Sequence, residues 1–362
     1  MRPPPALYRE QNASKQFISK GAASLELVPF QKVPPLLDDL DQESLLQAIA
    51  RSITYFDRFS DNDIQFLGAR SCTVKDFKET LTDFRDILRG TGSPQAKENK
   101  IRERFDFYRT KGDDGKGRVL FTGYYEPVLD GSWKRTEKYR YPLYRFPKEG
   151  MLRYKRAEID GAGVLAGRGL EIIWVDDFID LFFLQVQGSG KIRLSDGTLI
   201  QVGYAQSNGY PYRSIGRYML DRDMLAKNQH TLSAIKKYLR EHHEEAKTIF
   251  NYNERYIFFR LLDKGPIGAL NVPVTGGRTI ASDPEVYPKG ALAFIGSRKP
   301  LIDRGELVGW SPFSRFVLSQ DTGDAISGAG RIDIFCGSGV GAEAVAGRLK
   351  EEGELYFLMR KK

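Results

Sequence analysis

The segment "RIDIFCGSG", Arg331 to Gly339, sets an acid beside a bulky aromatic on strand-like sequence. With side chains alternating, Arg331, Asp333 and Phe335 share one face, and Ile332 and Ile334 the other. A carboxyl in that setting is either a paired structural group or one kept protonated for proton transfer. A second acid, Asp321, lies in "QDTGDA", which contains the Asp-Thr-Gly tripeptide of aspartic proteases. Protease chemistry needs two such aspartates sharing a proton, and one copy is present, so an aspartate bracing a turn is the stronger reading.

Other catalytic patterns fail. The three histidines, His230, His242 and His243, lack the HExxH spacing and read as surface residues, not zinc ligands. No GxSxG elbow occurs. Gly337, Gly339 and Ala342 fit a dinucleotide-binding turn locally, but too little chain follows for the ribose-binding acid and further βα units. Gly337, Gly339 and Gly341 therefore read as a tight turn near a site. Glycan cleavage needs a carboxylic acid that stays protonated, together with aromatic faces and amide or hydroxyl side chains for the sugar. The chain supplies these in "FTGYYEP", in "LQVQGSG" and in "VGYAQSNGYPYRSIG". Gln185 and Gln187, read as strand residues, share a face that could reach a groove. Taken singly, each segment is better explained by ordinary sheet packing.

These residues must be positioned by a sizeable scaffold. A chain of 362 residues, 41% hydrophobic and 12% aromatic, supports two domains with real cores. The net charge of +8 suits acidic polymers, but no compact Lys/Arg stripe marks a nucleic-acid surface. No run reaches the roughly 18 apolar residues of a membrane span. Cys72 and Cys336 are the only cysteines, which excludes a disulfide framework and a cysteine-based zinc site. "MRPPPALYREQ" has prolines where a signal peptide carries its apolar core, and no lipid-bearing cysteine follows. The expectation is a chain that is not exported, or a mature one whose leader has been removed.

Residues 1–40 are Pro-rich and read as a tail or strap. Leu45, Ile49 and Phe56 mark a first helix capped by Asp41, and Phe77, Leu81 and Phe84 a second opened by "TVKD" at Thr73. Ile101, Phe105 and Tyr108 mark a third, with Pro94 as its starter. From Val119 the text turns to short strands, interrupted by one more helix over about 232–250. The pattern is mainly β with α (α+β), one β-rich domain inserted into another.

Read together and in order, "FTGYYEP", "QVQGSG", "GYAQSNGYPYRSIG", "ALNVPVTGGRTIASDPEVYPKGALAFI" and "QDTGDAISGAGRIDIFCGSG" resemble the membrane-bound lytic murein transglycosylase A family, the last two its three-aspartate (3D) domain. The resemblance implies a double-psi β-barrel domain, expected at 41–123 plus 254–362, and a β-rich insert at 124–253 forming the other wall of a glycan groove. The signature aspartates map to Asp283, Asp321 and Asp333. Asp333 is implied as the catalytic acid and Asp321 as the group that positions it. Burial beside Phe335 should raise the Asp333 pKa, and Arg331 should point away so as not to oppose that rise. Substrate contacts are expected from Tyr124, Tyr125, Gln185, Gln187, Ser189, Tyr204, Asn208, Tyr212 and Asp283. Glu126 is counted with these contacts, and of its two other readings, second acid and loop brace, the loop brace is the stronger.

The implied reaction cleaves the β-1,4 bond between N-acetylmuramic acid and N-acetylglucosamine in peptidoglycan, forming 1,6-anhydromuramic acid without metal or cofactor. The implied place is the bacterial cell envelope: the periplasm, with outer-membrane association open. The expected partners are peptidoglycan strands, not nucleic acid. Other murein-synthesis or murein-hydrolysis proteins stay open, and a monomer is expected. The competing readings are a non-catalytic glycan-binding barrel and a dimeric aspartic protease.

Overall fold

The computed structural model describes residues 24–147, 154–226, 231–263, 265–323 and 325–362. Helix starts follow local hydrogen-bonding chemistry. Asp41 caps helix Gln42–Phe56 by accepting from Ser44 N at 2.7 Å. Thr73 and Asp76 close a reciprocal capping box on helix Val74–Arg89, and Pro94 opens helix Pro94–Arg104. That third helix ends earlier than its apolar spacing suggests, because Phe105–Thr110 is a strand. "FDFYRT" pairs with the C-terminal strand, and this tertiary pairing overrides the helical spacing. The fourth expected helix breaks at His242 into Leu232–Glu241 and His243–Tyr252. His242 and His243 are exposed, as expected, and His230 lies outside the described residues.

Six strands close a barrel: Val119–Glu126, Arg331–Ser338, Thr279–Ala281, Glu306–Asp321, Leu292–Asp303 and Lys350–Arg360, the last pairing back onto the first. Phe121, Ile280, Phe294, Val317, Ile332, Ile334 and Phe357 fill it, none more than 2% exposed. Each such side chain contributes about 1.5–3 kcal/mol by leaving water. Because Ile332 and Ile334 are committed inward, the alternation turns Arg331 and Asp333 to the opposite face.

Residues 24–40 are a strap fixed to this barrel. Leu25–Val28 pairs with Phe105–Thr110, Asp38 meets the fully buried Arg278 at 2.6 Å, and Asp39 meets Arg315 at 2.8 Å. The rest of the expected tail, residues 1–23, lies outside the described residues.

A second, six-stranded sheet runs in the order Ile257–Leu262, Leu199–Ser207, Ser189–Arg193, Val128–Ser132, Glu171–Val175 and Tyr141–Tyr144. The chain passes from one sheet to the other at Pro127 and leaves the second after Leu262, a few residues beyond the expected boundaries of 124 and 253. Among the described residues no helix is long and apolar enough to cross a membrane.

One expected strand is a helix. "FIDLFFLQVQ", Phe178–Gln187, is capped by Asp177 and stopped by left-handed Gly188. Six of its ten residues are buried, so the alternation a half-exposed strand needs is missing. Two residues apart on a helix is about 200°, so Gln185 and Gln187 do not share a face.

Candidate active site

Asp333 lies opposite Thr122 in a parallel ladder and opposite Ala281 in an antiparallel one. Asp321 flanks Ala281 from its other side. The short strand Thr279–Ala281 thus separates the two aspartates by two strand spacings, roughly 10 Å between backbones. One register step along, Phe335 faces Tyr124, their rings 5.2 Å apart. Gly123 lies between Thr122 and Tyr124 because helix Gly339–Ala346 presses on this strand. A Cβ there would sit 2.8 Å from Ala346 Cα and 2.9 Å from Cys336 Sγ. The turn out of the Asp333 strand uses Gly337 and Gly339, both at positive φ, as the glycine reading anticipated.

The two aspartates differ in their partners. Asp321 Oδ2 accepts from the Tyr124 hydroxyl at 2.7 Å, and Oδ1 from Ala269 N and Thr322 N, each at 2.9 Å. Burial raises its pKa while those three donors pull it back. Asp333 is half-buried, and its Oδ1 is shut from solvent without a hydrogen-bond partner. Thr122 Oγ1 is likewise buried and unpartnered, close enough to steady the carboxylate yet closing no hydrogen bond of good geometry. Burial pushes the Asp333 carboxyl up to about 6; Thr122 and Arg331 oppose the rise and Asp321 adds to it. The rise expected at Asp333 is present. Arg331 is turned to donate to Ala325 O at 3.1 Å, but its charge still reaches the acid.

Tyr124, expected on the opposite wall, lies instead on the barrel strand next to that of Asp333, its hydroxyl bonded to Asp321 and raised by burial and by both aspartates' charges. Tyr125, next on the strand, points the opposite way. It is 1% exposed, with its hydroxyl accepting from Lys236 Nζ at 3.3 Å, so it packs the interface behind the site and does not line a groove. Glu126 is fully buried and accepts from Ser338 Oγ, from Gln201 Nε2 and, at 3.2 Å, from Lys191 Nζ. It is a brace between the Asp333 strand and the second sheet, the second of its two readings.

Gln185 is buried in its helix with Oε1 unpartnered, and Gln187 Oε1 accepts from Tyr125 N at 3.2 Å. Ser189 is half-buried at the start of the next strand. Asn208 donates to Tyr154 O and Glu254 O and accepts from Tyr256 N, holding loop backbones together inside the second domain. Asp283 likewise spends both oxygens on backbone, on Glu285 N at 2.8 Å and Gly328 N at 2.7 Å. For Tyr125, Gln185, Asn208 and Asp283, burial and internal bonding argue against direct sugar contact. Tyr204 and Tyr212 are 43% and 37% exposed. Burial raises the Tyr212 hydroxyl, while Ser214 and the Arg331 charge lower it, so this loop of the second domain lies near the Asp333 strand.

Sequence reasoning passed over Thr122 and the Lys191–Gln201–Ser338 brace. Thr122 was legible, being two residues from Tyr124 on the same face. The brace joins residues up to 212 positions apart and has no local signature.

A barrel presenting a half-buried carboxyl raised by burial, with a second aspartate two strands away and Tyr124 near both, is a site suited to proton transfer by a single acid. Known proteins agree. Residues 120–260 match the MltA specific insert domain and residues 278–359 the 3D domain. The membrane-bound lytic murein transglycosylase A of Escherichia coli K12 is 34% identical over 257 residues, covering 70% of this chain and 69% of that protein. The Vibrio cholerae protein of the same name is 31% identical, covering 68% and 67%. The crystal structure of the Agrobacterium tumefaciens membrane-bound lytic murein transglycosylase superposes with a TM-score of 0.76 at 30% identity, covering 93% of this chain and 98% of that one. E. coli MltA with bound chitohexaose gives 0.73 at 27% identity, covering 95% and 96%. This chain belongs to the membrane-bound lytic murein transglycosylase A family.

Proposed function

We infer that this chain is a peptidoglycan lytic transglycosylase working in the cell envelope, with Asp333 as its acid and base. Protonated Asp333 gives its proton to the glycosidic oxygen bridging muramic C1 and glucosamine C4. That bond breaks, and the oxocarbenium-like centre at C1 is left facing the new carboxylate. The carboxylate takes the proton of the muramic 6-hydroxyl as that oxygen bonds to C1. The product is a 1,6-anhydro sugar, Asp333 is again protonated, and no water is consumed. An internal nucleophile removes the need for the second carboxylate that hydrolases keep for water or for a covalent bond.

The observation that carries this reading is the contrast in partners. Asp321 is held by three donors, whereas Asp333 Oδ1 has none and its carboxyl is pushed up to about 6. A general acid needs that availability near neutral pH. Asp321 and Tyr124 position the acid. The division proposed is a barrel domain up to Glu126 and from residue 263 on, and an insert from Pro127 to Leu262, with the glycan between them. Tyr204, Tyr212, Gln187 and Ser189 are the proposed sugar contacts of the insert. The protein is proposed to act as a periplasmic monomer.

The test is mass analysis of digested murein. Muropeptides ending in 1,6-anhydromuramic acid, one water lighter than hydrolytic products, are expected. Mainly reducing-end muramic acid would make water the nucleophile and end the proposal. Bound but uncleaved murein would favour a glycan-binding barrel.

A further inference from the structure

Most buried arginines of this protein are matched to acids. Arg278 meets Asp38 at 2.6 Å, Arg315 meets Asp39 at 2.8 Å, and Arg156 meets Asp160 at 3.3 Å. Arg331, like the half-buried Arg51, lacks such a partner, and it lies at the centre of the site. It is half-buried, and among the described residues no carboxylate lies within ion-pair distance of it. One nitrogen donates to Ala325 O at 3.1 Å, and Nε is shut from solvent with no partner. The strand alternation sets Arg331 on the same face as Asp333, roughly 7 Å along the chain. Tyr212 of the insert lies close enough for the Arg331 charge to act on its hydroxyl. Asp333 does not neutralise this cation while it carries the proton the reaction requires.

A half-buried guanidinium that no carboxylate neutralises, on the same strand face as the acid, can receive an anion on its terminal nitrogens, though not on the shut-in Nε. Murein differs from neutral chitin-type glycans in its carboxylates, on the lactyl ether of muramic acid when that is free and on the peptide stem when it is not. We propose that Arg331, backed by Tyr212, is the carboxylate-recognition residue of the groove and selects murein over neutral glycans. This rests on the transglycosylase reading and deepens it. A structure of the E. coli relative holds chitohexaose, so in that protein ring recognition needs no charge on the ligand. A carboxylate contact would add selectivity to it.

Binding is measured in an Asp333→Asn background, so that no turnover interferes. The probes are peptide-bearing glycan strands, strands stripped of peptide to free lactyl carboxylates, and neutral chitohexaose. Arg331→Gln is expected to weaken carboxylate-bearing strands about tenfold, more at low salt, and chitohexaose by less than twofold. Arg331→Lys keeps the charge without the fork and should retain part of the preference. A loss confined to peptide-bearing strands places the carboxylate on the stem, and a loss confined to stripped strands places it on the lactyl group. Equal loss for all three probes, or no loss for any, overturns the inference. Failure of the wild-type chain to release anhydro products from murein would instead sink the transglycosylase reading, and the binding data do not depend on it.

Discussion

Glu126 and Asp333 are buried carboxyls that flank opposite ends of the same parallel pairing, and they live in opposite electrical worlds. Glu126 is fully enclosed and receives a hydroxyl, an amide and an ammonium. Asp333 is only half enclosed, yet one of its oxygens receives nothing and its carboxyl rises to about 6. Depth of burial therefore does not mark the reactive acid. What marks it is burial without compensation, which keeps the proton on at the pH where it must be given away. Asp321 lies between the extremes, raised by burial and pulled back by three donors, as suits a group that holds its neighbours in place.

The contrast is broken most severely at Asp333. Asp333→Asn should preserve the fold and lower anhydromuropeptide release by about 10²–10⁴-fold or more, since one group serves both proton transfers. If that variant stays within a few-fold of wild type while Glu126→Gln is dead, the acid lies on the other side of the comparison. Asp321→Asn should cost less, on the order of tenfold to a hundredfold. Tyr124→Phe, which removes one of three donors to Asp321, should cost less again; a larger loss in Tyr124→Phe than in Asp321→Asn would reverse their proposed order.

Asp283→Asn and Glu126→Gln should act mainly on stability. Each disturbs groups that are buried and paired, at about 1–3 kcal/mol measured by denaturant unfolding, with turnover per folded molecule nearly unchanged. Activity lost at unchanged stability would count against the bracing role. The smallest effect has the opposite sign. A carboxyl whose pKa is higher folded than unfolded favours folding while protonated, and stability declines as pH rises through about 4 to 6. Asp333→Asn removes that decline and should be more stable than wild type at pH 8, by about 1–2 kcal/mol after allowance for partial exposure. A variant less stable at pH 8 than at pH 4 relative to wild type would contradict it.

Much of this was legible locally. Caps at Asp41 and Thr73, the helix-opening Pro94 and the alternation through Ile332, Asp333 and Ile334 are contacts between near neighbours, and the sequence motifs carried the family. The failures have tertiary causes. Phe105 and Tyr108 have helical spacing but a strand partner in the C-terminal segment. "LFFLQVQ" has no periodicity to separate a buried helix from a buried strand. Tyr125 and Asn208 look like sugar contacts by type, and only the packing of Lys236 and of the Tyr154 and Glu254 carbonyls shows that their polar groups are already engaged.

The central claim is that burial lifts the Asp333 carboxyl to about 6, leaving a protonated fraction available close to neutrality, and its carboxyl titration followed by carbon NMR of labelled protein tests it most directly. An inflection near pH 6, absent from Asp333→Asn and matched by a fall in kcat/KM as pH rises through the same range, is the predicted result. An Asp333 carboxyl titrating at or below about 4, the ordinary range for an aspartate, would contradict the account.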